Sequence, residues 1–299
     1  MLTADAFWKK ARLNIETAVS CRDRNDNAMF QFWATVALEL LGKACLVRMH
    51  PIFVVNPEDF KSVRIACGNL ESQEYKTIIA KTLYERLSLL VDGFDEKAES
   101  FCNRMAQKRN EELHSANLPF DGLDLRSWQQ QYWRIVKLLC EKQGKSLTEF
   151  LEAAEATEAE KIILDATKAI EVAVGGRINQ ARREFQRGKD KATLDSVIKE
   201  SENSACRQCS ETDTIAECPS CSSWGVLRGS ELYEEFIDYL PNDIGNATMS
   251  LDCKSEGFKC TMCALLLSGL EELAIAGLPG RFKTETVRYF EWEPDYGND

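Results

Sequence analysis

The chain has 299 residues, room for one large or two ordinary domains around a sizeable core. Its hydrophobic fraction of 44% and charged fraction of 28% are those of soluble globular proteins. The net charge of -11 excludes a broad nucleic-acid coat but leaves room for a local basic site.

There is no run of about twenty uncharged apolar residues, so no membrane span is expected. Residues 1–10 carry charges and no apolar h-region, so no secretion signal is expected either. The 12 cysteines of a chain without such a signal point to a reducing cytoplasm, with thiols or metal rather than disulfides.

Phe7, Ala11, Leu13, Ile15, Ala18 and Val19 give an amphipathic pattern that predicts a first helix ending near Cys21. Asn25 and Asp26 are candidate caps for the next one. That helix, residues 29–49, is apolar almost all round (Phe30, Phe32, Trp33, Leu38, Leu41, Leu46) and reads as the buried centre of a bundle ended by Pro51. Glu39 and Lys43 interrupt it at a favourable i,i+4 spacing. They form a structural ion pair, or Glu39 reaches Arg109 and orients it; the sequence leaves both open.

A short helix over residues 58–66 and a longer one over 71–91 follow. Asp95 caps a helix whose stripe of Ala98, Phe101, Cys102, Met105 and Ala106 continues onto Arg109 and Leu113. An arginine on a core-facing stripe is costly to bury without a partner. Asn110 and His114 lie one turn apart on an adjacent face, and His114 is one of only 2 histidines. A cation, an amide and an imidazole thus converge where the pattern predicts packing against another helix or subunit. A histidine in the last turn of a helix also interacts with the final carbonyls and needs no function for that. Residues 125–139 form a further helix carrying Trp128, Trp133, Val136 and Leu139.

Residues 147–198 are helical again, with 155–186 as one long helix weakened by Gly175-Gly176. Its basic end carries Arg182, Arg183, Arg187 and Lys189, a solvated face or an edge that tracks nucleic-acid phosphates.

From Ser201 the periodicity stops and cysteines come in pairs: Cys206/Cys209, Cys218/Cys221 and Cys260/Cys263, with Cys253 left over. Two C-x2-C turns supply the four thiolates of a tetrahedral, closed structural zinc site. Pairing Cys218/Cys221 with Cys260/Cys263 makes a ribbon and is favoured. Pairing Cys206/Cys209 with Cys218/Cys221 makes a compact knuckle, and two ions remain an alternative. The ribbon's insert holds a predicted helix over residues 231–240 and a strand near 249–251. Residues 282–292 alternate as a strand. Cys21, Cys45, Cys67, Cys102 and Cys140 read as buried small hydrophobes.

The expected fold is therefore mainly α. It comprises an N-terminal helical bundle (1–143), a helical extension (144–204), a small zinc ribbon with short β-strands (205–281) and a candidate strand with an acidic tail (282–299).

An all-helical bundle bearing Arg109-Asn110-x3-His114 on its last long core helix resembles the HEPN superfamily. Residues 38–43 (Leu-Glu-Leu-Leu-Gly-Lys) look like the acidic, lysine-containing second helix often seen there. The resemblance covers roughly residues 5–143. It implies a metal-independent endoribonuclease with no catalytic cofactor, acting across a homodimer cleft. In this reading Arg109, Asn110 and His114 are catalytic, and Glu39 and Lys43 support them. A zinc ribbon appended to such a domain is similar to arrangements in bacterial toxins and antiviral defence proteins, which implies an RNA substrate and a regulatory or antitoxin partner protein. The competing class is a non-catalytic helical and zinc-ribbon adaptor. No Gly-rich phosphate loop, Ser-His-Asp set or dinucleotide fingerprint is present.

Overall fold

The computed structural model describes residues 2–72, 74–187, 191–239 and 246–289. The chain divides into two compact units, Met1–Thr167 and Lys168–Asp299.

The first unit is helical: α1 (Ala4–Asp23), α2 (Asn27–Met49), α3 (Phe60–Ala66), α4 (Ala80–Leu90), α5 (Glu96–His114), α6 (Leu125–Glu141), the one-turn α7 (Leu147–Phe150) and the start of α8 (Ala153–Gln186). Aspartates start the main helices by accepting from exposed amides: Asp26 from Met29 N, Asp95 from Ala98 N and Asp124 from Ser127 N. Helix α2 is central. Phe30, Leu38, Leu41 and Leu46 are fully buried, each contributing about 1.5–3 kcal/mol by leaving water. By length and composition α2 could cross a membrane, but 78% of its most apolar window is buried in the bundle. Gly42 lets α4 approach, since a Cβ there would meet Leu87 Cδ1 at 3.0 Å. Tyr132 of α6 stacks on Trp128 at 4.6 Å and donates its hydroxyl to Ala34 O at 2.9 Å. Arg22 forks onto both oxygens of Glu155 at 2.7 and 2.6 Å, tying the start of α8 to α1.

The helix expected over residues 71–91 begins only at Ala80. Before it, Ile78 N bonds Val54 O and Asn56 N bonds Lys76 O, so partners distant in sequence take the backbone groups a helix would use. Gly175-Gly176 do not break α8, which runs through them. Cys67 is exposed, whereas Cys21, Cys45, Cys102 and Cys140 are buried as expected.

The second unit overturns the expectation of a mainly α chain with only short strands. Helix α9 (Lys191–Cys206) precedes β1 (Asp213–Glu217), β2 (Trp224–Tyr239), β3 (Asn246–Lys259), β4 (Leu266–Ser268), α10 (Gly269–Ile275) and β5 (Arg281–Tyr289). Among the described residues these strands form one five-stranded antiparallel sheet, ordered β1-β2-β3-β4 with β5 also paired to β3. The chain is therefore mixed α and β. The helix expected over residues 231–240 is the distal half of β2, in register with β3 from Glu231↔Cys253 to Tyr239↔Ala247. Both faces of β2 are largely exposed there, so no clear alternation of polar and apolar residues announces a strand. Leu240 and residues 290–292 of the expected C-terminal strand lie outside the described residues, as does the acidic tail. Val174, Ala181 and Phe185 of α8 join Leu227, Phe258, Leu267, Leu273 and four cysteines in this unit's core.

Candidate functional site

Two constellations of polar side chains stand out among the described residues, one in each unit. In the first, α2 presents Glu39 and Lys43 and α5 presents Arg109. Lys43 Nζ donates to Glu39 Oε1 at 2.9 Å and to Thr77 Oγ1 at 3.2 Å. Arg109 Nη1 donates to the other carboxylate oxygen of Glu39. Arg109 Nε and Nη2 converge on Asn110 Oδ1 at 3.2 and 2.7 Å. The three charged side chains are only 10–16% exposed. The costly buried arginine of the α5 stripe thus has a carboxylate partner on the neighbouring helix. The two readings of Glu39 are both realised, because one oxygen faces each cation. Burial pushes the Glu39 carboxyl up, but Lys43 and then Arg109 outweigh it and hold it below the ordinary 4.5.

His114 is the last residue of α5 and is exposed, as is Asn110 one turn before it. Arg109 and His114 are five residues apart, so about 140° separates them around an ideal helix. A single copy of α5 therefore does not aim both at one phosphate. Leu113 and Leu118, one residue before and four after His114 in the chain, are 59% and 70% exposed.

In the second constellation Cys218, Cys221, Cys260 and Cys263 are all buried, and their sulfurs lie within 4.8 Å of one another. Cys218 Sγ stands 3.6 Å from Cys263 Sγ, and Cys221 Sγ 3.7 Å from Cys260 Sγ. These separations are far longer than a disulfide bond of about 2.05 Å. The group can hold one metal ion.

The local fold that builds it is the same twice. Cys218 N bonds Ser223 O at 2.8 Å, and Cys260 N bonds Leu265 O at 2.9 Å. The residue after each second cysteine, Ser222 and Ala264, has φ of 58°, the left-handed turn that brings the pair of thiols round. The fully buried Ser223 hydroxyl lies 2.8 Å from Cys221 Sγ and 3.4 Å from Cys260 Sγ. Hydrogen bonds within the group, Cys218 foremost, lower the thiols of Cys221 (to about 7) and Cys260, with Ser223 contributing, while the thiols of Cys218 and Cys263 are raised by their cysteine neighbours. Cysteines held as thiolates are the form that ligates metal. Sequence reasoning missed Ser223; its position two residues after a C-x2-C pair was the only signal.

Cys206 and Cys209, the alternative ligands, are not part of this group. They sit at the end of α9 and in the following turn, with Cys206 exposed. The expected basic edge is divided. Arg182, Arg183 and Arg187 are all exposed, and Lys189 lies outside the described residues. Arg182 donates Nε to Ser220 O at 2.9 Å and Nη2 to Pro219 O at 3.0 Å, so two of its donors are spent on the first cysteine loop.

Comparison of the chain with family models, with curated proteins and with solved structures gives no match.

Proposed function

We propose that the chain is a HEPN-type endoribonuclease that cleaves RNA without a catalytic metal, acts as a homodimer in the cytoplasm, and serves as a toxin or antiviral effector under a regulatory partner. The observation that carries this reading is the Glu39–Arg109–Asn110 arrangement beside an exposed His114. Glu39 fixes the guanidinium and Asn110 braces it, so the cation is held in place before any substrate arrives. Of the five N–H donors of a guanidinium, three are engaged with Glu39 and Asn110, which leaves two for phosphate oxygens.

The chemistry needs a proton taken from the 2′-hydroxyl, charge stabilised on the phosphorane, and a proton given to the 5′-oxygen. Imidazole serves the proton transfers because its ordinary pKa lies near neutrality. Arginine serves the phosphate because it stays charged and binds two oxygens at once. The 2′-oxygen attacks phosphorus, the 5′-oxygen leaves with a proton, and the products are a 2′,3′-cyclic phosphate and a 5′-hydroxyl. Two copies facing across a twofold axis overcome the 140° divergence, with Arg109 from one chain working with His114 of the other.

Mixing tests this. Arg109→Ala and His114→Ala proteins, each inactive alone, regain part of the activity when subunits exchange, because the mixed dimer has one intact site, Arg109 of one chain with His114 of the other, and one site lacking both. Two inactive variants that never complement contradict the shared cleft.

In the second unit the metal is zinc in a structural role. Four thiolates at about 2.3 Å from one zinc ion stand about 3.8 Å apart at the corners of a tetrahedron. The 3.6 and 3.7 Å sulfur separations match that edge. Four cysteine ligands leave no open position for water, so the ion stabilises the fold and does no hydrolysis.

A second reading, a non-catalytic adaptor, draws on the same ion network. Glu39 already balances Arg109, as a purely structural ion pair would. Loss of RNA cleavage on His114→Ala, with the fold unchanged, favours the enzyme over the adaptor.

A further inference from the structure

The loop between the first two cysteines is fastened to α8 from both sides. Arg182 gives two parallel N–H donors to consecutive carbonyls, Pro219 O at 3.0 Å and Ser220 O at 2.9 Å. In return Ser220 Oγ donates to Ile178 O at 3.0 Å, one turn back on the same helix face. Ala181 and Phe185 of that helix are buried in the core that holds the four cysteines. The second loop, Thr261-Met262 between Cys260 and Cys263, has no such paired clamp among the described residues; Arg177 of α8 gives a single donor to Leu266 O at 3.2 Å, past Cys263. Its Thr261 hydroxyl is buried with no hydrogen-bond partner among the described residues.

We propose that Arg182 is a positioning residue for the metal centre: by clamping Pro219 and Ser220 it presets the Cys218/Cys221 half to the spacing that metal demands. The inference rests on the reading of the four cysteines as a metal site. A preset pair of ligands binds without first being ordered, so affinity rises by the ordering cost avoided. A tetrathiolate zinc carries a net charge of about -2, and the guanidinium beside its loop offsets part of that. The Cys260/Cys263 half closes onto the ion last and releases it first. Arginine is needed for this and lysine is a poor substitute, because only the planar fork reaches two carbonyls at once.

The test uses the full-length reduced chain and cobalt(II), whose tetrathiolate complex is visible by its thiolate-to-metal absorption. Wild type, Arg182→Ala, Arg182→Lys, Ser220→Ala and Arg183→Ala are titrated. Outer partners of a metal site typically carry about 10–100-fold in affinity. Arg182→Ala is therefore expected to weaken cobalt binding about tenfold with an unchanged spectrum. Arg182→Lys and Ser220→Ala fall between it and wild type, and Arg183→Ala, an exposed neighbour, binds as wild type. A merely structural arginine would lower the melting temperature of the metal-free and loaded chains alike and leave cobalt affinity untouched. Arg182→Ala binding cobalt as wild type overturns the proposal, whatever Ser220→Ala does. A wild-type chain that gives no tetrathiolate spectrum overturns the metal reading itself, a separate signal.

Discussion

Glu39→Gln is the sharpest perturbation of the first unit. The carboxylate sits between Lys43 and Arg109, and the three side chains are 14%, 10% and 16% exposed, so solvent screens them little. Removing one partner of a buried ion pair costs about 3–5 kcal/mol, because the surviving charge stays buried. Here two cations survive, but glutamine keeps one acceptor oxygen for one of them, and the expected loss is about 3 kcal/mol. With a urea slope of about 2 kcal/mol/M, the unfolding midpoint falls by about 1.5 M. Four of the six tryptophans, Trp8, Trp33, Trp128 and Trp133, lie in this unit, so intrinsic fluorescence follows it. The pH dependence gives a second reading of the same pair. Lys43 and Arg109 hold the Glu39 carboxyl below 4.5 in the folded chain despite its burial. A depressed carboxylate contributes stability that is present above its unfolded pKa and lost as pH falls through the folded one. The gap between wild type and Glu39→Gln is therefore full at pH 7, narrows below about pH 4.5 and closes once Glu39 is protonated in the folded state. A loss under about 0.5 kcal/mol at pH 7, or a gap that does not shrink in acid, would refute this account of the network.

His114→Ala should change stability by less than about 0.5 kcal/mol, because the side chain is exposed at a helix end, while RNA cleavage is lost; urea unfolding beside an RNA assay checks both halves. Gly225→Ala should cost about 1–3 kcal/mol and speed metal loss, since its Cβ would lie 2.5 Å from Phe258 Cζ and 2.8 Å from Lys259 O, next to Cys260; thermal melting and zinc release to a coloured chelator read it. Cys218→Ser, or metal withdrawn by a chelator, should abolish hydrogen-exchange protection in β2, β3 and β4 while leaving α1 to α6 protected, because a structural ion's binding energy is folding energy; a sheet equally protected without metal contradicts the structural role.

What the sequence made legible follows from how local each signal is. Asp26 and Asp95 announce their helices because a cap acts on amides three residues on. The all-round apolar run of α2 marks a central helix for the same local reason. The Glu39–Arg109 contact spans seventy positions, yet it stands among the two readings of Glu39 because a charge on an apolar stripe demands a partner. The four-cysteine group was readable because C-x2-C is a chemical motif whose pairs had only a few ways to combine. The sheet was legible only in part: the strands expected near residues 249–251 and over 282–292 fall on β3 and β5, but the extent of β3, and β2 altogether, escaped. Ala247, Met249, Leu251 and Cys253 do alternate with polar residues, and β3 could have been traced further from them. In β2, however, Glu231 to Tyr239 mix carboxylates and aromatics with both faces largely exposed, and the hydrogen bonds that hold them come from β3. Arg182 reads from the sequence only as part of a basic run, a solvated face or a phosphate-tracking edge, because the carbonyls it serves, Pro219 and Ser220, lie far along the chain.

The central claim is RNA cleavage by Arg109 and His114 without a catalytic metal. Its most direct test is incubation of total cellular RNA with the full-length chain in EDTA, wild type beside His114→Ala, with analysis of the new ends. The account predicts cleavage by wild type alone, leaving 2′,3′-cyclic phosphate and 5′-hydroxyl ends. Intact RNA with wild type, or equal cleavage by His114→Ala, would contradict it.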